Sequence, residues 1–241
     1  MPRIGASARV NARAQEIIDN VSANKWLLYS PDHLPEAPLS HGENGIIFLC
    51  RGGKFIAKTA FEEHKSGLVR MEGEILRELK GKNGVLQMVQ MYPNIGGVGP
   101  MLILQRLEGP DLSSWQYFDF SQHAAGMVKS LKTVHKAGYV YKDINPGNFM
   151  LHQGQYVLID FGIAERHPSR NTAFEGSQEF VPLATHQGRP TTPQDDLESL
   201  GYLLEWALAG GVLPWTGRSR AEIGRMKQGF QFSPAVAKVI Q

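Results

Sequence analysis

The dipeptide Gly109-Pro110 divides the chain into two stretches of different texture, and this break constrains the fold more than any other feature. Ahead of it, from Leu39, short β-rich runs alternate with glycine-containing turns. Beyond it, apolar residues recur mostly at helical spacing. A strand-rich block followed by a helix-rich block predicts an α+β chain, with two small lobes sharing a cleft.

The chain divides into three segments on this reading. Residues 1–35 form an N-terminal extension, expected to be a tail: a short helical pattern over 14–23 (Ile17, Ile18, Val21) leads to the turn signal Ser30-Pro31. Residues 36–108 hold strand, turn, strand, hairpin and strand. The turn is His41-Gly-Glu-Asn-Gly45, the next strand Ile46-Ile-Phe-Leu-Cys50, and the hairpin turn Gly52-Gly53. A helix over 67–81 follows (Leu68, Ile75, Leu76, Leu79), then strands over 85–91 and 101–107. The glycines at 96, 97 and 99 form no dinucleotide fingerprint, because no helix follows them. Residues 109–241 carry an amphipathic helix over 123–137, a short strand over 156–159 and an apolar helix over 197–208. Asp195 and Asp196 stand at the start of that last helix, where carboxylates suit its dipole.

Composition excludes several classes. Of 241 residues, 42% are hydrophobic and 20% charged, which is enough apolar material to bury a core. A single cysteine, Cys50, rules out an internal disulfide and argues against a cysteine-based zinc site. A net charge of +2 is too mild to imply nucleic acid, and no apolar run reaches the ~20 residues of a membrane span. The N-terminus lacks the apolar core of a secretory signal.

Four motifs carry chemistry, and each has an ordinary structural explanation when taken alone. Gly42-x-x-Gly45 in a strand–turn–strand lets backbone amides approach phosphate oxygens; a plain hairpin turn explains it as well. Lys58 shares a strand face with Ile56 and needs an anionic partner if it points inward; an edge lysine is the rival reading. Glu72 lies on the stripe of Ile75, Leu76 and Leu79 and supplies that anion. In Asp143-Ile-Asn-Pro-Gly-Asn148, a carboxylate can accept the proton of an attacking hydroxyl and an amide oxygen can ligate magnesium. A polar turn is the alternative there. Asp160-Phe-Gly162 at a strand end can hold a metal that bridges phosphates, or it can simply turn the chain. The order and spacing of the four reduce the weight of coincidence.

Taken together, these residues resemble the eukaryotic protein kinase family over residues 39–217. Leu107-Glu-Gly-Pro-Asp-Leu112, Gly176-Ser-Gln-Glu-Phe180, Thr185-His-Gln-Gly188, Asp195-Asp-Leu-Glu-Ser-Leu-Gly-Tyr202 and Leu213-Pro-Trp215 narrow the resemblance to the casein kinase I and vaccinia-related kinase branch. It implies a two-lobed kinase-like fold and transfer of the γ-phosphate of ATP to Ser or Thr of a protein, with Mg2+. By the same carry-over, Asp143 is the catalytic base, and Asn148 and Asp160 hold magnesium. Lys58 meets the α- and β-phosphates, steadied by Glu72, and Gly42 and Gly45 cover the phosphates. Ile56 faces adenine, Gln105 is the gatekeeper, the backbone from Arg106 to Glu108 meets adenine, and Asp196 braces the catalytic loop.

The departures from the family pattern are equally specific. Ser40 replaces the first glycine, Ile56 a small alanine, Tyr141 the usual histidine and Lys142 the usual arginine. Asn145 replaces a lysine that steadies the transferring phosphate in the family, which predicts slower turnover or a changed mode of catalysis. About 24 residues follow Gly217, so a shortened C-terminal lobe is expected. These features resemble the minimal kinases among bacterial secreted effectors, implying delivery into the cytoplasm of a eukaryotic host and action on a host protein. A monomer without nucleic-acid partners is expected. A pseudokinase binding module and a small-molecule phosphotransferase are the rival readings. Ser169, Thr172 and Ser177 are candidate phosphorylation sites, with Lys142 a candidate partner for such a phosphate.

Overall fold

The computed structural model describes residues 8–42, 45–114, 116 and 118–241. The first seven residues, with Arg3, and Glu43-Asn44 of the glycine turn lie outside the described residues. The chain forms two compact units. One runs up to Gly81 and takes in Leu86–Leu107; the other comprises Lys82–Val85 and Glu108–Gln241.

The first unit is built on a five-stranded antiparallel sheet in the order β1-β2-β3-β5-β4. Its strands are β1 (Pro35–His41), β2 (Ile46–Cys50), β3 (Phe55–Thr59), β4 (Met88–Tyr92) and β5 (Met101–Gln105). The β2–β3 hairpin turns through Gly52 and Gly53, at φ 74° and 71°, the left-handed pair that a tight hairpin of this hand requires. Helix α2 (Ser66–Glu78) buries Val69, Glu72, Gly73, Ile75 and Leu76, a stripe at i, i+3, i+4, i+6 and i+7.

The N-terminal segment is not a tail within the described residues. Helix α1 (Ala8–Ala23) buries Ala14, Ile17 and Val21, spaced i, i+3 and i+7. These pack with Ile46, Phe48, Ala57, Met101 and Ile103 in one apolar cluster. The sheet presents an apolar face there, and α1 removes it from water. Residues 8–35 therefore belong to the first unit, so the division at residue 36 is not a domain boundary. Cys50 is buried in the same cluster, which pushes its thiol up to about 12.

The second unit begins one residue earlier than the sequence suggested, at Glu108, and recruits Lys82–Val85. Leu158 N donates to Gly84 O at 2.9 Å, and Val85 bridges Leu158, which ties the recruited tetrapeptide to this unit. Its elements are α3 (Phe120–Lys136), β6 (Tyr139–Val140), β7 (Phe149–His152), β8 (Gln155–Leu158), β9 (Glu165–Arg166), α4 (Leu183–His186), α5 (Pro193–Leu208), α6 (Arg220–Gln228) and α7 (Pro234–Ile240). β7 and β8 form a hairpin, and β6 pairs with β9. Helix α5 is the core element, packed on α3 and α7, with Leu197, Leu200, Leu203 and Leu204 buried. Its start is sharp: Thr192 caps it, Pro193 opens it, and Asp195 completes a capping box.

If α1 is part of the core, Ile17→Ala removes a wholly buried side chain and leaves a cavity. The expected loss is about 2–5 kcal/mol, read by denaturant unfolding. A free tail would leave the midpoint unchanged.

Candidate active site

In the first unit, Lys58 sits on β3 between Ile47 of β2 and Leu102 of β5. Its side chain is 7% exposed, so its ammonium needs an anion, and Glu72 of α2 stands 2.7 Å away at 2% exposure. Close packing of the helix on the sheet makes this reach possible. Gly73 lies against Leu102 and Met91, where an added Cβ would come within 2.7 Å of both side chains. Ile56, on the same strand face as Lys58, is half-buried. Gly42 N donates to Gly45 O at 2.9 Å, closing the glycine turn. A Cβ on Gly45 would lie 2.5 Å from Thr59 O, so that glycine lets β2 start tightly against β3. Gln105 ends β5 with its N–H on Gln87 O, and Arg106 N reaches Lys54 O at 3.4 Å. Glu108 is exposed at the start of the second unit.

The second unit gathers the acidic and amide groups. Asn148 gives its side-chain N–H2 to Asp143, at 2.8 Å to Oδ2 and 2.9 Å to the backbone oxygen. Its amide oxygen is then the atom suited to a cation. Ile159 N donates to Asn148 O at 2.9 Å, which pins the residue before Asp160 beside Asn148. Asp160 adopts φ 57°, rare for a residue with a side chain, and accepts from Gly162 N at 3.1 Å. The residue before it is held a second time, because the Tyr141 hydroxyl donates to Ile159 O. The Tyr141 ring meets Phe161 edge-on at 5.3 Å. Burial raises the Asp143 carboxyl above the usual range, against hydrogen bonds from Asn148 and Asn145 that lower it.

The loop carrying Asp143 hangs on one buried carboxylate. Asp196, 2% exposed on α5, accepts from Tyr141 N at 2.7 Å and Lys142 N at 2.9 Å, and lies 2.9 Å from His135 Nε2. This is the bracing role expected of it. The neighbouring carboxylate has another task, since Asp195 accepts from Thr192 at the helix cap.

Three features were not legible in the sequence. Lys142, a candidate partner for a phosphate, is already paired with Glu175 at 2.5 Å and Glu165 at 3.3 Å. Asn171 donates to both glutamates. Ser177 Oγ lies 3.4 Å from Asp143 Oδ1, a long contact. Asn145, the departure at the lysine position, spends its side chain locally, accepting from Gly147 N at 2.9 Å and donating to Asp143 O at 3.2 Å. Only the cation next to Asp143 and the density of acids after it hinted at these pairings.

A magnesium ion takes oxygen ligands and relies on one or two carboxylates plus substrate phosphates. The donor chemistry of Asn148 and Asp160 fits that habit. Among the described residues no group of three or more His, Cys, Asp or Glu is placed to hold a metal ion.

Comparison with known proteins identifies the family. The protein kinase domain family matches residues 39–237, and the chain belongs to that family. Within it, the resemblance is to the casein kinase I branch. Casein kinase I homolog 2 of Schizosaccharomyces pombe is 28% identical over 211 residues, covering 76% of this chain and 48% of the relative. Casein kinase I homolog 3 of the same organism is 27% identical over 226 residues, covering 78% and 50%. A probable serine/threonine-protein kinase of Dictyostelium discoideum is 34% identical over 117 residues, covering 42% and 23%. The chain thus spans about half the length of the two casein kinase I relatives.

Replacing Asp196 by Ala strips acceptors from two buried N–H groups and from His135. The expected cost is about 3 kcal/mol or more in stability, with phosphotransfer falling further than binding of nucleotide. Thermal unfolding, nucleotide titration and a phosphotransfer assay check this; equal losses in binding and transfer would contradict it.

Proposed function

We propose that the chain transfers the γ-phosphoryl group of ATP to serine or threonine of a protein substrate. The observation that carries the reading is the shared framework of Asp143, Asn148 and residue 159. It supports a proton acceptor and two oxygen ligands working side by side. Magnesium and the nucleotide, when bound, supply the electrophilic phosphorus and its charge neutralisation. Asn148 and Asp160 hold the cation, Lys58 steadied by Glu72 takes the α- and β-phosphates, and Gly42 and Gly45 cover them. Asp143 accepts the proton of the attacking hydroxyl, aided by the raised affinity for protons that burial gives it. Ile56, Gln105 and the backbone from Arg106 to Glu108 receive adenine.

Casein, which names two of the relatives, serves as the probe substrate. Labelled ATP, magnesium and dephosphorylated casein are expected to give labelled casein with the wild type. Asp143→Ala and Asp160→Ala are each expected to lower the rate at least about 100-fold. Undiminished labelling in either variant would overturn the assignment of that residue.

One observation favours a binding module without turnover: Asn145 offers no cation and is spent on the local turn. On the catalytic reading, Asn145→Lys raises kcat on casein about tenfold or more and costs about 1 kcal/mol of stability through loss of the turn. A casein-inactive wild type that still binds ATP, with Asn145→Lys inactive too, favours the module.

The finer biological reading is action as a monomer, in a cytoplasm or delivered into a host cell as an effector. It rests on the resemblance alone. No helix among the described residues is long and apolar enough to cross a membrane.

A further inference from the structure

We propose that Lys227 is a positioning residue for the protein substrate: it fixes the backbone of residues 179–183, which borders the approach to Asp143. The proposal rests on the kinase reading above and adds the part of the chain that receives the substrate polypeptide.

The geometry starts at the catalytic base. Gly176 has φ 93°, and a Cβ there would lie 2.8 Å from Lys142 O and 3.7 Å from Asp143 Oδ1. Ser177 follows with its hydroxyl 3.4 Å from Asp143. Any hydroxyl that delivers its proton to Asp143 enters alongside this segment. Ser177 then starts a tight turn, its carbonyl accepting from Phe180 N at 2.8 Å and Val181 N at 3.0 Å. A displacement of residue 181 is thereby passed back to Ser177.

Beyond the turn, side chains from outside the segment take three backbone groups within five residues. Trp215 Nε1 donates to Glu179 O at 2.9 Å, Lys227 Nζ donates to Val181 O at 2.5 Å, and Leu183 N donates to Glu198 Oε1 at 2.7 Å. The three holders are also joined to one another. Tyr202 OH donates to Glu198 at 2.7 Å, and the Lys227 ammonium lies over the Tyr202 ring at 4.3 Å and the Trp215 ring at 5.2 Å. Trp215 and Tyr202 meet edge-on at 5.1 Å.

Lys227 is the expensive member of this group. It is 4% exposed on α6, and burial pushes its ammonium down to about 7 against the pull of Glu198 and Glu179. A methionine or leucine would fill the same space without desolvating a charge. The amine makes sense as the donor that stops Val181 O from drifting. Loss of that donor frees the substrate-facing segment while leaving Lys58, Asn148 and Asp160 as they are.

Lys227→Met keeps the packing stem and deletes the donor. In steady-state assays with dephosphorylated casein, its KM for casein is expected to rise at least fivefold. Its KM for ATP and its casein-independent ATP hydrolysis stay within twofold, and Lys227→Arg recovers most of the casein KM. An unchanged casein KM overturns the proposal, as does a parallel loss in the ATP parameters, which marks a merely structural role. If Lys227→Met fails to melt cooperatively, Trp215→Phe, which removes only the indole N–H and part of the ring, takes its place with the same expected split and the same overturning results. A wild type that labels no casein, with Asn145→Lys inactive too, defeats the kinase reading itself, an outcome distinct from either variant result.

Discussion

The loop that carries Asp143 and Asn148 depends on a buried carboxylate, Asp196. Asp196 has almost no contact with water and satisfies its oxygens with two consecutive backbone N–H groups and an imidazole. Such a group is costly unless fully bonded, and once bonded it tolerates little movement of its partners. The consequence is visible at Lys142, held at φ 71°, a conformation that residues with side chains rarely adopt. That twist aims the next residue, Asp143, toward Asn148. The core helix therefore sets the geometry of the loop, and its capping box keeps the neighbouring Asp195 occupied elsewhere.

A second set of charges fixes the segment after Asp160. Two carboxylates, Glu165 and Glu175, converge on the ammonium of Lys142, and Asn171 donates to both. A phosphate added at nearby Ser169 or Thr172 would meet a site that already carries an excess of negative charge. The segment is ordered by carboxylates encoded in the chain, and its glycine at 176 then brings the backbone against the loop. From there the turn at Ser177 carries the chain to the side chains of α5 and α6, so one continuous set of hydrogen bonds runs from Asp143 to Lys227.

Much of this was legible in the sequence, for reasons that can be named. Strand alternation and the Gly52-Gly53 turn are local signals, and the β2–β3 hairpin follows from them. Glu72 was readable because helical periodicity placed it on the buried stripe. The Lys58–Glu72 pair then follows from the desolvation cost of an inward lysine. Helix α1 was misread because its buried face includes Ala14, a small residue that adds little to an apolar pattern, among polar and charged neighbours such as Arg13, Gln15, Glu16 and Asp19. The partners of Lys142 and Lys227 were not readable. Glu175 lies in a loop without periodicity, and Val181 contributes only a carbonyl, which every residue possesses. Local patterns report on elements, whereas these pairings exist only once the tertiary fold has brought the groups together.

The central claim is that carboxylates within the chain, Asp196 and Glu175, order the catalytic loop without help from a phosphate. The most direct test is the turnover of casein by protein stripped with a phosphatase, its phosphate-free state verified by intact mass, compared with protein as purified. The account predicts the same initial rate for both, with no lag while phosphate is regained. A stripped protein that is inactive and recovers only as it phosphorylates itself would contradict it.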